Sequence, residues 1–596
     1  MCGITGRINF TGLPIEKTSI EAMTSALTHR GPDDFGLFLK HNTGLGHRRL
    51  KIIDPDGGSQ PFISEDQQCA IVFNGVIYNY KELRHNLRKL GHIFKTDSDT
   101  EVLLHCWLEW KHKCVDELRG MFAFSIVDFH NRIVFLARDP FGIKPLYYEL
   151  TSDSLTFASE LQPLTLHKDY QLNYEILDEY LYFGFISAPN TIYKGIKKLL
   201  PGEHLSIALD GSRSTLTRYW SMRFQPELGR STDSWLEELE YTIDESVKVH
   251  LQSDVPCGAF LSGGIDSTIV SALMKKNYEH SVRTYSIAFE QSELDESIYS
   301  RQAANTIGTD HSCAVDRSDP FQAVLNQLHH FGEPFADWSS VPTEHVSRMA
   351  KSEVTVVLSG DGGDELFAGY RHYETWMRDP GKDWHKTMLR CMDPEYRLKI
   401  WRNEYHNIIL NQRTTTNCIQ YAEDATNDRL SFAQACDLSN YLPNSVLHKV
   451  DIASMMHGLE VRTPFLDRSV ADLVSRIPSS ELAGFDNEGQ WVGKRLLKKL
   501  LGRPNFPTFT DEFIGRRKQG FTPPVHHILT NNHDVYSLVK NTLTDKNSLI
   551  GDFVNPSGIS FLFNDLFQGG GAEPIWALWV LENWLQITSG NSIKNA

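Results

Sequence analysis

The sequence predicts a two-domain α/β protein, and three observations carry that expectation. A chain of 596 residues is too long for a single hydrophobic core. Up to residue 160 it reads as short β-rich runs, at 70–73, 122–128, 133–137 and 146–149, separated by Gly, Pro, Asp and Asn, with helical signals at 15–28, 80–90 and 100–110. From residue 233 onward strands alternate with helices. Helical periodicity over 235–251 leads to a buried strand at 257–261, a Gly-rich turn and helix, a strand at 284–289 and a third at 354–358, an order that calls for a parallel sheet. Past residue 375 the pattern is mostly helical, with aromatic-rich amphipathic segments such as 575–584. Pro201-Gly202, a hairpin ending at Tyr219 and Trp220, and a polar stretch with Pro226 and Gly229 mark the boundary, giving domains of 1–220 and 231–596.

Composition narrows the function classes. A hydrophobic content of 41% with 22% charged residues excludes disorder of the whole chain. The net charge of −16, with no long run of Lys and Arg, makes a nucleic-acid partner unexpected. No stretch is apolar enough to span a membrane, and Met-Cys-Gly-Ile-Thr-Gly-Arg lacks the basic-then-apolar layout of a secretory signal. The expectation is a cytoplasmic protein acting on small molecules. Nine scattered cysteines, odd in number and without Cys-x-x-Cys spacing, predict reduced thiols rather than disulfides or a zinc site.

One cysteine stands at position 2. If the initiator methionine is removed, its thiol and the free α-amine share a residue, and an amine with pKa of about 8 can take the thiol proton without a separate histidine base. A nucleophile attacking an amide needs donors for the developing oxyanion. Asn74-Gly75, placed at the end of the 70–73 strand, can offer a side-chain amide and a backbone N–H, although the dipeptide by itself is more often a hairpin turn.

Cys2-Gly3-Ile4, His29-Arg30-Gly31-Pro32-Asp33, His47-Arg48-Arg49-Leu50, Phe73-Asn74-Gly75, Ser98-Asp99-Thr100-Glu101, Arg119-Gly120-Met121-Phe122-Ala123 and 138–146 resemble, in order and spacing, the glutaminase domain of the asparagine synthetase family. The resemblance implies an αββα N-terminal-nucleophile hydrolase layer. It also implies that Cys2 forms a glutamyl thioester and releases ammonia, with Asn74 and Gly75 as oxyanion donors. Arg49 would pair with the glutamine α-carboxylate and Asp99 with its α-amine, matching guanidinium to carboxylate and carboxylate to ammonium. Leu50 to Ile53 would complete the pocket. The family usually has Glu after Asn-Gly, where this chain has Val76. The expected consequence is weaker glutamine binding, by about 1.5–3 kcal/mol for one lost hydrogen bond to a charged group, rather than loss of the reaction.

In the second half, Leu261-Ser262-Gly263-Gly264-Ile265-Asp266-Ser267-Thr268 lies between a strand and a helix beginning near Ser267. Its glycines admit phosphate to the backbone, and a helix N-terminus offers donors and a positive dipole end. It lacks the Gly-Lys-Ser/Thr ending of a Walker loop and reads as the pyrophosphate loop of enzymes that split ATP into AMP and pyrophosphate. A second turn, Ser359-Gly360-Asp361-Gly362-Gly363-Asp364-Glu365, follows the 354–358 strand, and Asp266 and Asp364 are candidate Mg²⁺ ligands. Both turns, with Gly332-Glu333-Pro334-Phe335-Ala336-Asp337, 459–467 and Arg517-Lys518-Gln519-Gly520-Phe521, resemble the synthetase domain of the same family. By that resemblance Leu261 and Ile287 would contact adenine, and Ser359 and Gly360 the nucleotide. Asp361 would take part in forming the acyl-adenylate, and Lys518 would lie over the phosphates as a fixed cation.

The predicted reaction takes glutamine, ATP with Mg²⁺ and a carboxylic acid, with aspartate leading and other carboxylates, such as cell-wall or sugar-acid precursors, as alternatives. A cyclising amide synthetase would have no use for Cys2, Arg49 and Asp99. A catalytically dead nucleotide-binding regulator would have none for Asp266, Asp364 and Lys518. The resemblance also suggests a homodimer.

Overall fold

The computed structural model describes residues 2–166, 168–289, 297–381, 384, 387–388, 390–407, 416–516 and 523–594. The N-terminal half holds two antiparallel six-stranded sheets. In spatial order the first is Ile196–Lys198, Tyr147–Leu150, Ser154–Ala158, Gly3–Asn9, Thr43–Arg49 and Asp34–Lys40. The second is Ser214–Arg218, Glu203–Ala208, Ile133–Arg138, Gly120–Asp128, Cys69–Ile77 and Phe62–Ile63.

Side-chain alternation explains how these sheets stack. In the strand Cys69–Ile77, Ala70 and Val72 point inward and share a core with Ile4, Ile8, Leu45 and Phe157 of the other sheet. Ile71 and Phe73 point outward against Leu83, Leu87, Leu103 and Trp107 of the helices Tyr80–Lys89 and Asp99–Trp110. The helix Lys17–Ser25 lies against Gly3–Asn9 and Thr43–Arg49 of the first sheet. Helix, sheet, sheet and helix therefore follow in layers, the αββα arrangement expected. The predicted strand at 70–73 is longer than read, because Asn74 and Gly75 continue the ladder opposite Ala123 and Phe122. The 15–28 helix is shorter, and the strands Gly3–Asn9, Asp34–Lys40 and Thr43–Arg49 went unread, their glycines and charges masking the alternation.

The C-terminal half is built on a parallel five-stranded sheet ordered Asp310–Asp316, Arg283–Phe289, Cys257–Phe260, Val356–Leu358, Glu460–Arg462. The chain starts at the central strand Cys257–Phe260, builds outward to one side, then returns to build on the other. The sheet order therefore reverses between Cys257–Phe260 and Val356–Leu358, which is where an open α/β sheet leaves a crevice at its strand C-termini. Many helices surround it. One large cluster packs the C-terminal helix Glu573–Lys594, through Trp576 and Trp579, against Tyr180 and Leu181 of the helix Leu177–Phe183, so the two halves share a core. Tyr180 Oη donates to Ala577 O at 2.8 Å across that contact.

Candidate active sites

The first site lies at the edge of the N-terminal sandwich. The backbone nitrogen of Cys2 donates to Asn74 Oδ1 at 3.1 Å, and Arg30 Nε donates to Cys2 O at 3.1 Å. Asn74 is not in a turn, as one reading of Asn-Gly allowed, nor at a strand end. It sits mid-strand, fully buried. Its carbonyl is used by Cys2, but its Nδ2 has no hydrogen-bond partner among the described residues. A buried, unpaired amide N–H costs free energy, and this donor remains available to a bound molecule. Gly75 is required by packing: a Cβ there would lie 2.1 Å from Met121 O.

A pocket of about 360 Å³ opens beside Cys2, bordered by Arg49, Leu50, Ile53, Gly75, Val76 and Asp99. Every glutamine-site residue read from the sequence except the interior Asn74 lines it. Burial pushes the Cys2 thiol above its ordinary pKa, opposed by the chain-terminal ammonium, a Leu50 backbone hydrogen bond and Arg49. Arg49 spends part of its guanidinium on chain carbonyls, with Nη1 on Pro55 O at 3.0 Å and Nη2 on Asp54 O at 2.6 Å and Ile53 O at 3.2 Å. Those bonds aim the group and leave Nε and one Nη1 hydrogen outside them. Asp99 opens the helix Asp99–Trp110 behind the cap Ser98, whose Oγ accepts from Thr100 N. Burial raises Asp99 to about 6, against the lowering effect of the hydrogen bond from Ile77 N. Val76 is buried and offers the pocket only methyl groups.

The second site occupies the crevice of the parallel sheet. Residues 261–264 leave the strand Cys257–Phe260 and the helix Ile265–Asn277 begins two residues earlier than read. Ser262 Oγ and Ser267 Oγ stand 3.2 Å apart across the loop, and Gly264 N donates to Ser262 Oγ at 3.3 Å. The 359–365 turn leaves the neighbouring strand, and the two turns touch: a Cβ on Gly363 would lie 2.7 Å from Asp266 Cγ. Ser359 Oγ donates to Asp361 Oδ2 at 2.6 Å. Leu261 and Ile287 are both buried, in separate clusters. Lys518 lies outside the described residues.

Asp266 and Asp364 meet on one cation. Lys494 Nζ is bonded to Asp266 Oδ2 and stands 2.7 Å from Asp364 Oδ1, all three side chains being nearly buried. Two carboxylates from different turns converging on a single ammonium make a locus that suits a hard cation, so the donor set fits Mg²⁺. Lys494 escaped the sequence reading. Nothing in the local sequence marks it; the structure holds it at φ 54, between Gly493 and the helix Arg495–Leu501.

Glu460 was also missed as a site residue, although its motif was noted. It projects from the parallel sheet into the rim of the Cys2 pocket. Arg462 Nε donates to it at 2.7 Å, and its carboxyl falls to about 2: burial raises it, but the chain-terminal ammonium and Arg462 more than compensate. One strand thus links the sites, since Ser359 N, at the head of the second turn, donates to Arg462 O at 2.8 Å. The surrounding interface is charged and buried: Arg30 pairs with Glu160 and Asp451 at 2.8 Å each, and Lys144 reaches Asp451 at 3.4 Å.

Comparison with known proteins agrees with this arrangement. Residues 1–220 match the glutamine amidotransferase domain family and residues 238–586 the asparagine synthase family. The chain is 34% identical to asparagine synthetase [glutamine-hydrolyzing] 1 of Bacillus subtilis, covering 98% of this chain and 97% of that one. It is 30% identical to asparagine synthetase [glutamine-hydrolyzing] 3 of the same organism, over 88% of each, and 26% identical to amidase chyE of Penicillium rubens, over 88% and 89%. A family match across more than half the chain, together with a full-length relative of this similarity, establishes that the protein belongs to the asparagine synthase family.

Proposed function

We propose that the protein is a glutamine-dependent amide ligase that activates a carboxylic acid with ATP, aspartate being converted to asparagine. The observation that carries the reading is the pocket in which Cys2, Arg49 and Asp99 meet beside the unpaired Asn74 amide. The Cys2 thiolate attacks the glutamine side-chain carbonyl. Asn74 Nδ2 and Gly75 N–H receive the oxyanion, and the thiol proton passes by way of the Cys2 nitrogen, an amine once Met1 is removed, to the departing ammonia. Water then releases glutamate from the thioester. Arg49 and Asp99 hold the two charges of the amino acid.

At the second site, Ser262, Gly263, Gly264 and Ser267 bind the phosphates of ATP, with Ser359 and Gly360 alongside and Leu261 and Ile287 toward the base. Mg²⁺ would be held by Asp266 and Asp364 and would neutralise phosphate charge. The acceptor carboxylate attacks the α-phosphorus, pyrophosphate leaves, and Lys518 and Asp361 assist there. Ammonia reaches the acyl-adenylate through the interface around Glu460, displacing AMP. An internal route keeps it from being protonated in bulk water. The two matched families and the named relatives support this pairing of activities.

Incubation with glutamine, ATP, Mg²⁺ and aspartate tests it, following glutamate, pyrophosphate and asparagine together. Equal yields are expected; glutamate without pyrophosphate or asparagine would remove aspartate as the acceptor. Asn74→Ala should lower glutamine-dependent turnover by about 10²- to 10³-fold while leaving ammonia-dependent synthesis in place, as measured by steady-state rates with each nitrogen source.

A pH effect follows from Asp99. Its carboxyl titrates at about 6, so the anion that holds the ammonium is present above that pH and lost as pH falls through it. With Val76 adding no second carboxylate, the glutamine KM should rise steeply below pH 6. The ammonia-dependent rate, corrected for free NH₃, should not follow the same curve.

A further inference from the structure

Outside the two sites, where the halves of the chain meet, three side chains bring metal-ligating atoms together. His29 lies in the turn after the helix Lys17–Ser25, Glu160 just past the strand Ser154–Ala158, and His330 on the helix Leu325–Phe331 of the second half. His29 Nε2 stands 3.0 and 3.1 Å from the two oxygens of Glu160. The rings of His29 and His330 meet edge-on, their centroids 4.6 Å apart. One ligating atom from each of the three residues falls within 4.8 Å of the other two. Four-coordinate Zn²⁺, with bonds of about 2.0–2.2 Å, holds its ligand atoms roughly 3.3 Å apart. His29 and Glu160 are already close to that spacing, and His330 needs a shift of at most about 1.5 Å, which rotation of its side chain supplies.

An ion pair would account for His29 and Glu160 alone, but the rest of the cluster goes further. His330 Nδ1 is buried and has no hydrogen-bond partner among the described residues. Burial, and after it the neighbouring His29, lower this imidazole to about 4 against the raising effect of Glu160, so at neutral pH it is uncharged and keeps a lone pair. Glu160 is a full anion: burial raises its carboxyl, but His29 and Arg30 more than offset this and bring it to about 2. Arg30 Nη1 donates to Glu160 Oε1 at 2.8 Å and fixes the carboxylate from behind, as outer groups of metal sites do. The guanidinium charge is shared with Asp451, 2.8 Å from Nη2, so it does not cancel Glu160. Among the described residues, Glu160 Oε2 faces only His29, which leaves it free to turn to an ion.

We infer that His29, Glu160 and His330 form a binding site for a divalent transition-metal ion of the zinc class, which ties the two halves of the chain together. Two imidazoles and one carboxylate are a donor set for such an ion and too poor in oxygen for Mg²⁺ or Ca²⁺. In the bound form His29 carries its proton on Nδ1 and gives the Nε2 lone pair, Glu160 gives Oε2, and His330 gives one ring nitrogen. The fourth position goes to water. No thiol takes part, so the cysteine spacing that argued against a zinc site does not bear on this one. His29 and Glu160 stand 131 positions apart, and His330 comes from the other half, so no local spacing announces the set.

The test titrates the full chain, stripped of metal and kept in excess Mg²⁺ to fill the carboxylate crevice, with Co²⁺ as a visible stand-in for zinc and then with Zn²⁺ in competition. One Co²⁺ per chain should bind with the visible bands of a four-coordinate nitrogen–oxygen site and without a thiolate charge-transfer band, which separates it from binding at Cys2 or any other thiol. His330→Ala should weaken binding by about 100-fold or more, beyond the roughly 10- to 100-fold of an outer-shell partner. His330→Cys should keep the ion and add a sulfur-to-cobalt charge-transfer band, a signal that a merely structural role for His330 would not produce. Zn²⁺ should raise the thermal midpoint of the native protein and not that of His330→Ala, and midpoints without metal should report the folding of each variant. Failure of the native protein to take up one Co²⁺, binding that His330→Ala leaves unchanged, or a His330→Cys protein without the new band would overturn the site.

Discussion

Replacing Cys2 with Ala should abolish glutamate formation and glutamine-dependent amide synthesis while ammonia-dependent synthesis continues at close to the native rate. Among the described residues, no other thiol borders the pocket, and no histidine lines it that could supply a substitute nucleophile. What remains after the substitution is a binding pocket with an oxyanion donor but no group to form the thioester. The second site keeps its turns, its carboxylates and its sheet, because the backbone bonds of Cys2, an N–H to Asn74 and a carbonyl to Arg30, are both retained by Ala. The measurement is a pair of rates, one with glutamine and one with ammonium chloride. Parallel loss of both would mean that Cys2 acts on the fold rather than on glutamine.

Lys494→Met should have the largest effect on stability and on adenylation together. This lysine is the shared partner of Asp266 and Asp364. Its removal leaves two nearly buried carboxylates facing each other, and breaking a buried pair in this way typically costs about 3–5 kcal/mol. The variant should therefore melt well below the native protein and should recover more of its thermal midpoint than the native protein on addition of Mg²⁺, which would replace the missing charge. Pyrophosphate release should fall sharply, with glutamine hydrolysis retained wherever the protein is folded. A midpoint equal to the native one, with no added response to Mg²⁺, would remove Lys494 from the site.

The Cys2 pocket was largely legible in the sequence because its residues sit in short local runs whose chemistry is readable: Cys2 at the start, Asn74-Gly75 beside an apolar strand, Asp99 behind a capping serine. The placement of Asn74 was not. Asn-Gly carries the same local preference in a turn and in a strand, and only pairing with Ala123 and Phe122, more than forty residues away, decides between them. The two phosphate turns were legible for a similar reason, since glycine-rich loops after apolar strands are a local pattern. Glu460 and Lys494 were not, since Glu460 reaches a pocket in the other half of the chain and Lys494 pairs with Asp266, 228 positions away.

The sequence by itself determined that there are two halves of different architecture, that one carries a cysteine beside amide donors and the other a phosphate loop, and which family they resemble. Those properties live in composition, periodicity and short motifs, where neighbouring residues decide the conformation. Tertiary structure alone decided that the sheet order reverses between the strands leading to Asp266 and Asp364, that a single buried lysine joins those carboxylates, and that one strand runs from the Cys2 pocket to the crevice of the parallel sheet. Each depends on burial and charge pairing between distant segments, which are properties of the packed chain and have no local signature.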